Sequence, residues 1–198
     1  MINQQKLNLL KNTHIGKDCV IVACGPSVIK YEDEIKKIGN DKIIIAVKQA
    51  ISLVPNAQYH ILNFINIQQY DYSKNKPCVL EIYRGNERHK YHDIGFAFNG
   101  KEALFKTKNF KKYLLENSYT RPWGPGIMYE LGFYLAYHLG CKNITTYGWD
   151  ADLTNKSHFY KSDKISIGMI SELKNAKNIE KSFLSFFLQL GVEINIKR

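Results

Sequence analysis

The segment Val20–Gly39 reads VIVACGPSVIKYEDEIKKIG, and its reading decides the fold. Val20-Ile21-Val22-Ala23 is a continuous apolar run of the kind buried on both faces of a parallel sheet. Cys24-Gly25-Pro26-Ser27 interrupts it with turn chemistry: a glycine that permits close backbone approach, a proline that fixes one dihedral and a serine suited to capping. Tyr31–Ile38 then places Glu32, Asp33 and Glu34 early and Lys36 and Lys37 late, the order that suits a helix dipole, and Gly39-Asn40 stops it. The segment therefore predicts strand, tight turn and helix. It lacks the glycines of G-x-G-x-x-G and has no G-x-x-x-x-G-K-[ST], so neither common phosphate fingerprint explains the turn.

Outward from this unit the same grammar repeats. Asn3–Asn12 forms a short amphipathic helix, Lys42–Val47 (KIIIAV) a second buried strand, and Gln49–Val54 a short helical piece ended by Pro55. Ala57–Asn63 and Pro77–Tyr83 are further strands. Gly126–Leu139 is a helix closed by Gly140, Asn143–Tyr147 a strand, Met169–Leu190 contains a long helix, and Val192–Ile196 closes the chain as a strand. Strands alternating with helices predict an α/β, Rossmann-like domain spanning 1–198, its sheet mostly parallel with helices on both faces. Residues 84–120 mix charges, glycines and aromatics and read as a flexible, functional insertion.

The bulk composition bounds the function. The chain has 198 residues, 44% hydrophobic and 23% charged, enough for a real core. No apolar run approaches the ~20 residues of a membrane span, and the first residues carry no run long enough for a signal peptide, so the chain reads as cytoplasmic. Cys19, Cys24, Cys78 and Cys141 have no metal-ligand spacing and read as buried free thiols. The net charge of +10 suits an anionic partner. The lysines are dispersed and no nucleic-acid motif accompanies them, so solvated helix faces are the plain reading; the functional alternative is a peripheral contact with anionic membrane at its inner face, not nucleic acid.

In a parallel sheet ligands bind beyond the carboxyl ends of the strands. Four polar clusters fall there or at a helix start: Cys24–Ser27, Asn63, Arg121–Gly126 and Gly148–Asp152. Ser27 can cap a helix or donate to a phosphate. Arg121-Pro122-Trp123-Gly124-Pro125-Gly126 reads as a rigid loop before a helix, where exposed amides favour an anion and Arg121 adds a bidentate phosphate contact. Asp150 and Asp152 can hold ribose hydroxyls or a metal or serve as a base. Two aspartates alone are a weak magnesium signal. His158 lies in a polar loop and is a better general acid/base than His60 or His138, with His89 and His92 as competitors; Tyr160 can donate to a leaving phosphate. Each cluster also has a plain structural reading, as a turn, a cap or a solvated loop.

The ordered pattern VIVACGPS, a strand with a short helix, and PWGPGIMYELGFYLAYHLGCKNITTYGWD resembles the family 42 glycosyltransferases, bacterial sialyltransferases of surface glycans. It is also similar to a broader group with the Gly-Pro-Ser turn, which includes flagellin-modifying accessory proteins and the archaeal 6-hydroxymethylpterin diphosphokinase. The pattern covers about residues 14–160. The resemblance implies nucleotide binding by Gly25, Pro26, Ser27, Asn63, Arg121, Gly124, Gly126 and Asp152, with Lys48 standing where the sialyltransferases usually show asparagine. It implies catalytic roles for Asp150, Tyr160 and His158. The main expectation is a metal-independent glycosyltransferase that moves a sugar from a nucleotide donor, such as a CMP-linked acidic sugar, to a glycan or lipid-glycan acceptor. The alternatives are a pyrophosphokinase acting on a pterin or small alcohol with magnesium, and a non-catalytic nucleotide- or glycan-binding accessory protein.

Overall fold

The computed structural model describes residues 3–63, 70–73, 75–85, 92–150, 159 and 167–198. Eight strands form one parallel sheet: β1 Asp18–Val22, β2 Ile43–Val47, β3 Tyr59–Asn63, β4 Cys78–Tyr83, β5 Ile94–Ala103, β6 Thr120–Trp123, β7 Asn143–Tyr147 and β8 Glu193–Lys197. Their spatial order is β6-β5-β4-β3-β2-β1-β7-β8. Every pairing is parallel. The chain winds outward from β1 through β6, then crosses back to lay β7 on the other side of β1. That reversal between β1 and β7 is a topological switch point, the place where open α/β sheets bind ligands.

The apolar runs explain the centre of this sheet. All of β2 and β3 and four of the five residues of β1 are buried, and each fully buried Ile, Val or Leu contributes about 1.5–3 kcal/mol relative to exposure. One face packs Cys19, Ile21, Ile45, Ile61, Ile82 and Phe96 against Leu7 of α1 (Asn3–Leu10), Phe133 and Leu135 of α4 (Phe133–His138) and Phe183 and Phe187 of α5 (Ile167–Gln189). The other packs Val20, Val22, Ile44 and Ala46 against Val28, Ile35 of α2 (Glu32–Lys36), Ala50 and Ile51. Helices therefore cover both faces, as the sequence pattern predicts. Cys19, Cys24 and Cys141 are buried and Cys78 half-buried, all as free thiols. No helix among the described residues is long and apolar enough to cross a membrane.

Three parts differ from the sequence expectation. Within the 84–120 segment, whose residues 86–91 lie outside the described residues, residues 92–120 contribute framework: β5 pairs with β4 and runs directly into α3 (Leu104–Thr107). Arg121-Pro122-Trp123, read as loop, is β6 itself. It is an edge strand, the position in a sheet where a proline without an N–H is tolerated. The helix expected over Gly126–Leu139 opens as a π-helical turn, Met128–Gly132, before becoming α4.

Candidate functional site at the switch point

Strand β1 ends against β7, and the two exits are stitched together. Ala23 N donates to Tyr147 O and Gly25 N to Gly148 O, both at 2.8 Å. Gly148 has φ 67, a left-handed turn that aims the chain back over the end of β1. Asp150 then reaches across, and its Oδ2 accepts from Ser27 N at 2.8 Å. The carboxylate thereby caps the 3-10 helix Pro26–Tyr31. Gly25 is a glycine for lack of space, since a Cβ there would lie 2.4 Å from Asp150 Oδ2 and 2.5 Å from Gly148 O. Phe159 N donates to Cys24 O at 2.9 Å, so the chain beyond Asp150 returns to the same turn.

A donor count changes the meaning of this turn. Gly25 N is bonded to Gly148, Pro26 has no N–H, Ser27 N is bonded to Asp150, and Val28 N is bonded to Gly25 O at 3.2 Å. The turn thus offers a phosphate none of its amides. What it offers instead is a fixed carboxylate and the Ser27 hydroxyl, whose Oγ is buried without a hydrogen-bond partner. An orphaned buried hydroxyl is uncommon and marks a place where a ligand atom or water belongs.

The end of β2 lies alongside. Lys48 is left-handed, φ 49, a conformation uncommon for a residue with a side chain. The turn that it opens wraps the sulfur of Cys24: Sγ donates to Val47 O at 3.1 Å. Burial pushes the Cys24 thiol up to about 11, against the opposing pull of the Lys48 charge and of the Ala50 and Gln49 amides. Cys24 is thus a neutral structural plug between β1 and β2, with the Lys48 charge near enough to oppose the rise of its pKa. At the end of β3, Asn63 is 7% exposed and its Oδ1 has no partner.

The loop after β6 divides. Arg121 is wholly buried, and its guanidinium donates to Thr120 O (2.8 Å), Ser118 O (3.1 Å) and Glu130 O (3.4 Å). It lies over the rings of Phe96, Tyr113 and Tyr134 at 5.4–5.7 Å, and burial lowers its pKa to about 10, leaving it charged at neutral pH. The phosphate contact expected of Arg121 is therefore corrected: the guanidinium is wholly buried and turned to backbone carbonyls of the core. The amide of Gly124 is likewise taken by the Glu130 carboxylate at 2.9 Å. Gly126 keeps the left-handed conformation, φ 106, that turns the chain into the π-helical segment. That segment returns to the centre of the sheet: Tyr129 packs its ring 5.1 Å from Trp149, one residue before Asp150, and Gly132 approaches Ile61 of β3.

The structure thus brings together Gly25, Pro26, Ser27, Lys48 and Asp150, places Asn63 and the Gly126 turn on the same carboxyl edge, and withdraws Arg121 and the Gly124 amide. Asp152, His158 and Tyr160 lie outside the described residues. Among the described residues no group of three His, Cys, Asp or Glu forms a metal cluster. Two contributors escaped the sequence reading. Glu130 sits mid-helix with nothing local to mark it, and His60, in an apolar strand, reads as core. A family model described as 6-hydroxymethylpterin diphosphokinase MptE-like matches residues 1–156. A search of curated proteins found no match. The family match falls on the diphosphokinase side of the resemblance and brings no support for the sialyltransferase side. With the strand-turn unit, the switch point and more than half of the chain inside that match, the protein belongs to the 6-hydroxymethylpterin diphosphokinase MptE-like family.

Proposed function

We propose that the chain is a nucleotide-dependent diphosphokinase that moves the terminal diphosphate of ATP to the hydroxyl of a small alcohol such as a hydroxymethylpterin. The alcohol oxygen forms a bond to the β-phosphorus, the bond between that phosphorus and the α–β bridging oxygen breaks, and AMP leaves with that oxygen. The alcohol proton passes to a base or to solvent. One observation carries the choice over metal-independent sugar transfer: the Gly-Pro-Ser turn has no amide left for a phosphate, while the Asp150 carboxylate is fixed against it. A polyphosphate beside a bare carboxylate is repelled, whereas a carboxylate that shares a divalent cation with phosphates is the usual magnesium arrangement. Asp150 fits that use, because magnesium takes one or two carboxylates and completes its shell with phosphates and water. When bound, the ion would neutralise phosphate charge as it develops. Lys48 supplies a cation from the β2 side, the Ser27 hydroxyl donates to a phosphate oxygen, and the unpartnered Asn63 Oδ1 on the same edge would accept from the alcohol.

The test is product analysis with two donor sets. With ATP, magnesium and a hydroxymethylpterin or small-alcohol panel, AMP and a diphosphorylated alcohol should appear, and ATP should stabilise the protein only when magnesium is present. Asp150→Asn, which still accepts from Ser27 N, should keep the melting temperature and lose the magnesium-dependent part of the shift. Release of CMP from a CMP-sugar without magnesium, and no AMP from ATP, would sink this reading and restore the glycosyltransferase.

A further inference from the structure

The strained residue at the end of β2 is held by a neighbour on β3. His60 is 0% exposed. Its Nε2 lies 2.7 Å from Lys48 O, and its Nδ1 lies 2.8 Å from the Tyr72 hydroxyl. A carbonyl can only accept, so Nε2 carries the proton, and in the neutral ring Nδ1 accepts from Tyr72. Tyr70 closes the ring's edge at 4.7 Å and Tyr72 at 5.8 Å, both edge-to-face. The imidazole is thus fixed in plane, tautomer and depth, and what it grips is the backbone carbonyl of a residue at φ 49. Such an outlier persists only where its surroundings over-determine it. The Cα–Cβ direction of a side chain follows from its own backbone angles, so whatever holds the Lys48 carbonyl also sets where the Lys48 side chain starts and which region its ammonium can reach.

We infer that His60 is a positioning residue for nucleotide binding, acting through Lys48: its Nε2–H clamps the Lys48 carbonyl and keeps the ammonium directed at the phosphates beside the Gly-Pro-Ser turn. This rests on the nucleotide site proposed above. Without the clamp Lys48 relaxes to an ordinary right-handed or extended conformation, which swings its side chain off the turn while leaving the sheet in register. The sequence names His60 only as a poorer acid/base candidate than His158, and a core role alone predicts lost stability with unchanged affinity in the folded protein. The Tyr72 hydroxyl extends the same clamp to the chain that follows β3, so Tyr72→Phe should weaken it in part.

Titration calorimetry with ATP and magnesium on four proteins separates these roles: wild type, His60→Leu, Lys48→Met and the double variant. Each single change should weaken ATP by about tenfold, the worth of one phosphate contact, and His60→Leu should add nothing in the Lys48→Met background. His60→Gln, whose amide N–H reaches the same carbonyl, should recover binding to within about threefold. A wild type that binds no nucleotide overturns the site and this inference together. A wild type that binds, with His60→Leu at wild-type affinity or with equal losses in both Lys48 backgrounds, overturns the inference alone. If His60→Leu does not fold, His60→Gln and Tyr72→Phe carry the comparison: loss of stability without loss of affinity in both is then the refuting result.

Discussion

Replacing Gly25 by alanine tests the geometry of the switch point most directly. Its φ of −65 is open to any residue, so the backbone imposes no penalty, and in the unfolded chain alanine gains about 0.4–1 kcal/mol over glycine. The cost is steric. The new Cβ would stand 2.4 Å from Asp150 Oδ2 and 2.5 Å from Gly148 O, whereas ordinary contact begins near 3.4 Å, so the carboxylate must retreat by about 1 Å. The bond from Ser27 N, now 2.8 Å, does not survive such a move. A hydrogen bond to a charged group is worth about 1.5–3 kcal/mol, and losing it relieves the overlap with the carboxylate, while the overlap with Gly148 O requires a backbone shift whose cost adds to it. After the alanine gain the net loss is at least about 0.5–2.6 kcal/mol, or at least about 1–10 °C of melting temperature for a chain of this size. Nucleotide binding should fall further than stability, because the displaced group is Asp150. Calorimetric melting and an ATP titration at saturating magnesium measure both. A Gly25→Ala protein with wild-type melting and wild-type affinity would refute the claim that Asp150 and the Gly-Pro-Ser turn are in contact.

Ser27→Ala should do the reverse on one axis: removing a buried unpaired hydroxyl should raise the urea midpoint by the equivalent of about 1 kcal/mol while ATP binds more weakly. A loss of stability there would mean that the hydroxyl is already satisfied. Arg121→Met should cost about 3 kcal/mol in urea unfolding, since it strands the Ser118 and Thr120 carbonyls, yet leave nucleotide affinity of the folded protein unchanged. A selective loss of affinity would return Arg121 to the binding site. The burial of His14 and His138 lowers both pKa values below the ordinary 6.5, so the unfolded chain takes up protons first as pH falls. Stability should therefore be full above about pH 6.5 and decline from there through the lower folded values, and His138→Gln should flatten the slope of urea midpoint against pH. An unchanged slope would show that His138 is not the titrating group.

What the sequence made legible follows from how the elements meet water. β1, β2 and β3 are buried on both faces, so they read as unbroken apolar runs, and the glycine-led turn after β1 stands out against them. β5 did not read as a strand because its second half, Asn99 to Glu102, is half-buried or exposed and carries Gly100. β6 did not because an edge tolerates Pro122. Arg121 was misassigned for a physical reason: the three rings that receive it, Phe96, Tyr113 and Tyr134, are scattered through the chain, and only the fold collects them. The Gly25–Ser27 turn was found for its composition, but its exhausted amides depend on Asp150, more than a hundred residues away. The strain at Lys48 leaves no mark in the sequence at all.

The pairing of β1 with β7 also sets a schedule. The two strands meet across 125 residues, the separation between Asp18 and its hydrogen-bonded neighbour Asn143. During synthesis at ~5–20 residues per second, one edge of β1 waits roughly 6–25 s for its partner. Throughout that interval Val20, Ile21 and Val22 present an unpaired apolar strand, the kind of edge that aggregates. β2 can cover the other edge early, but the Asp150 cap on the Gly-Pro-Ser turn forms only when β7 emerges. The half-made chain is therefore a sheet with its ligand edge unbuilt, and the demand for chaperone protection should peak before residue 147 leaves the ribosome and fall once it has.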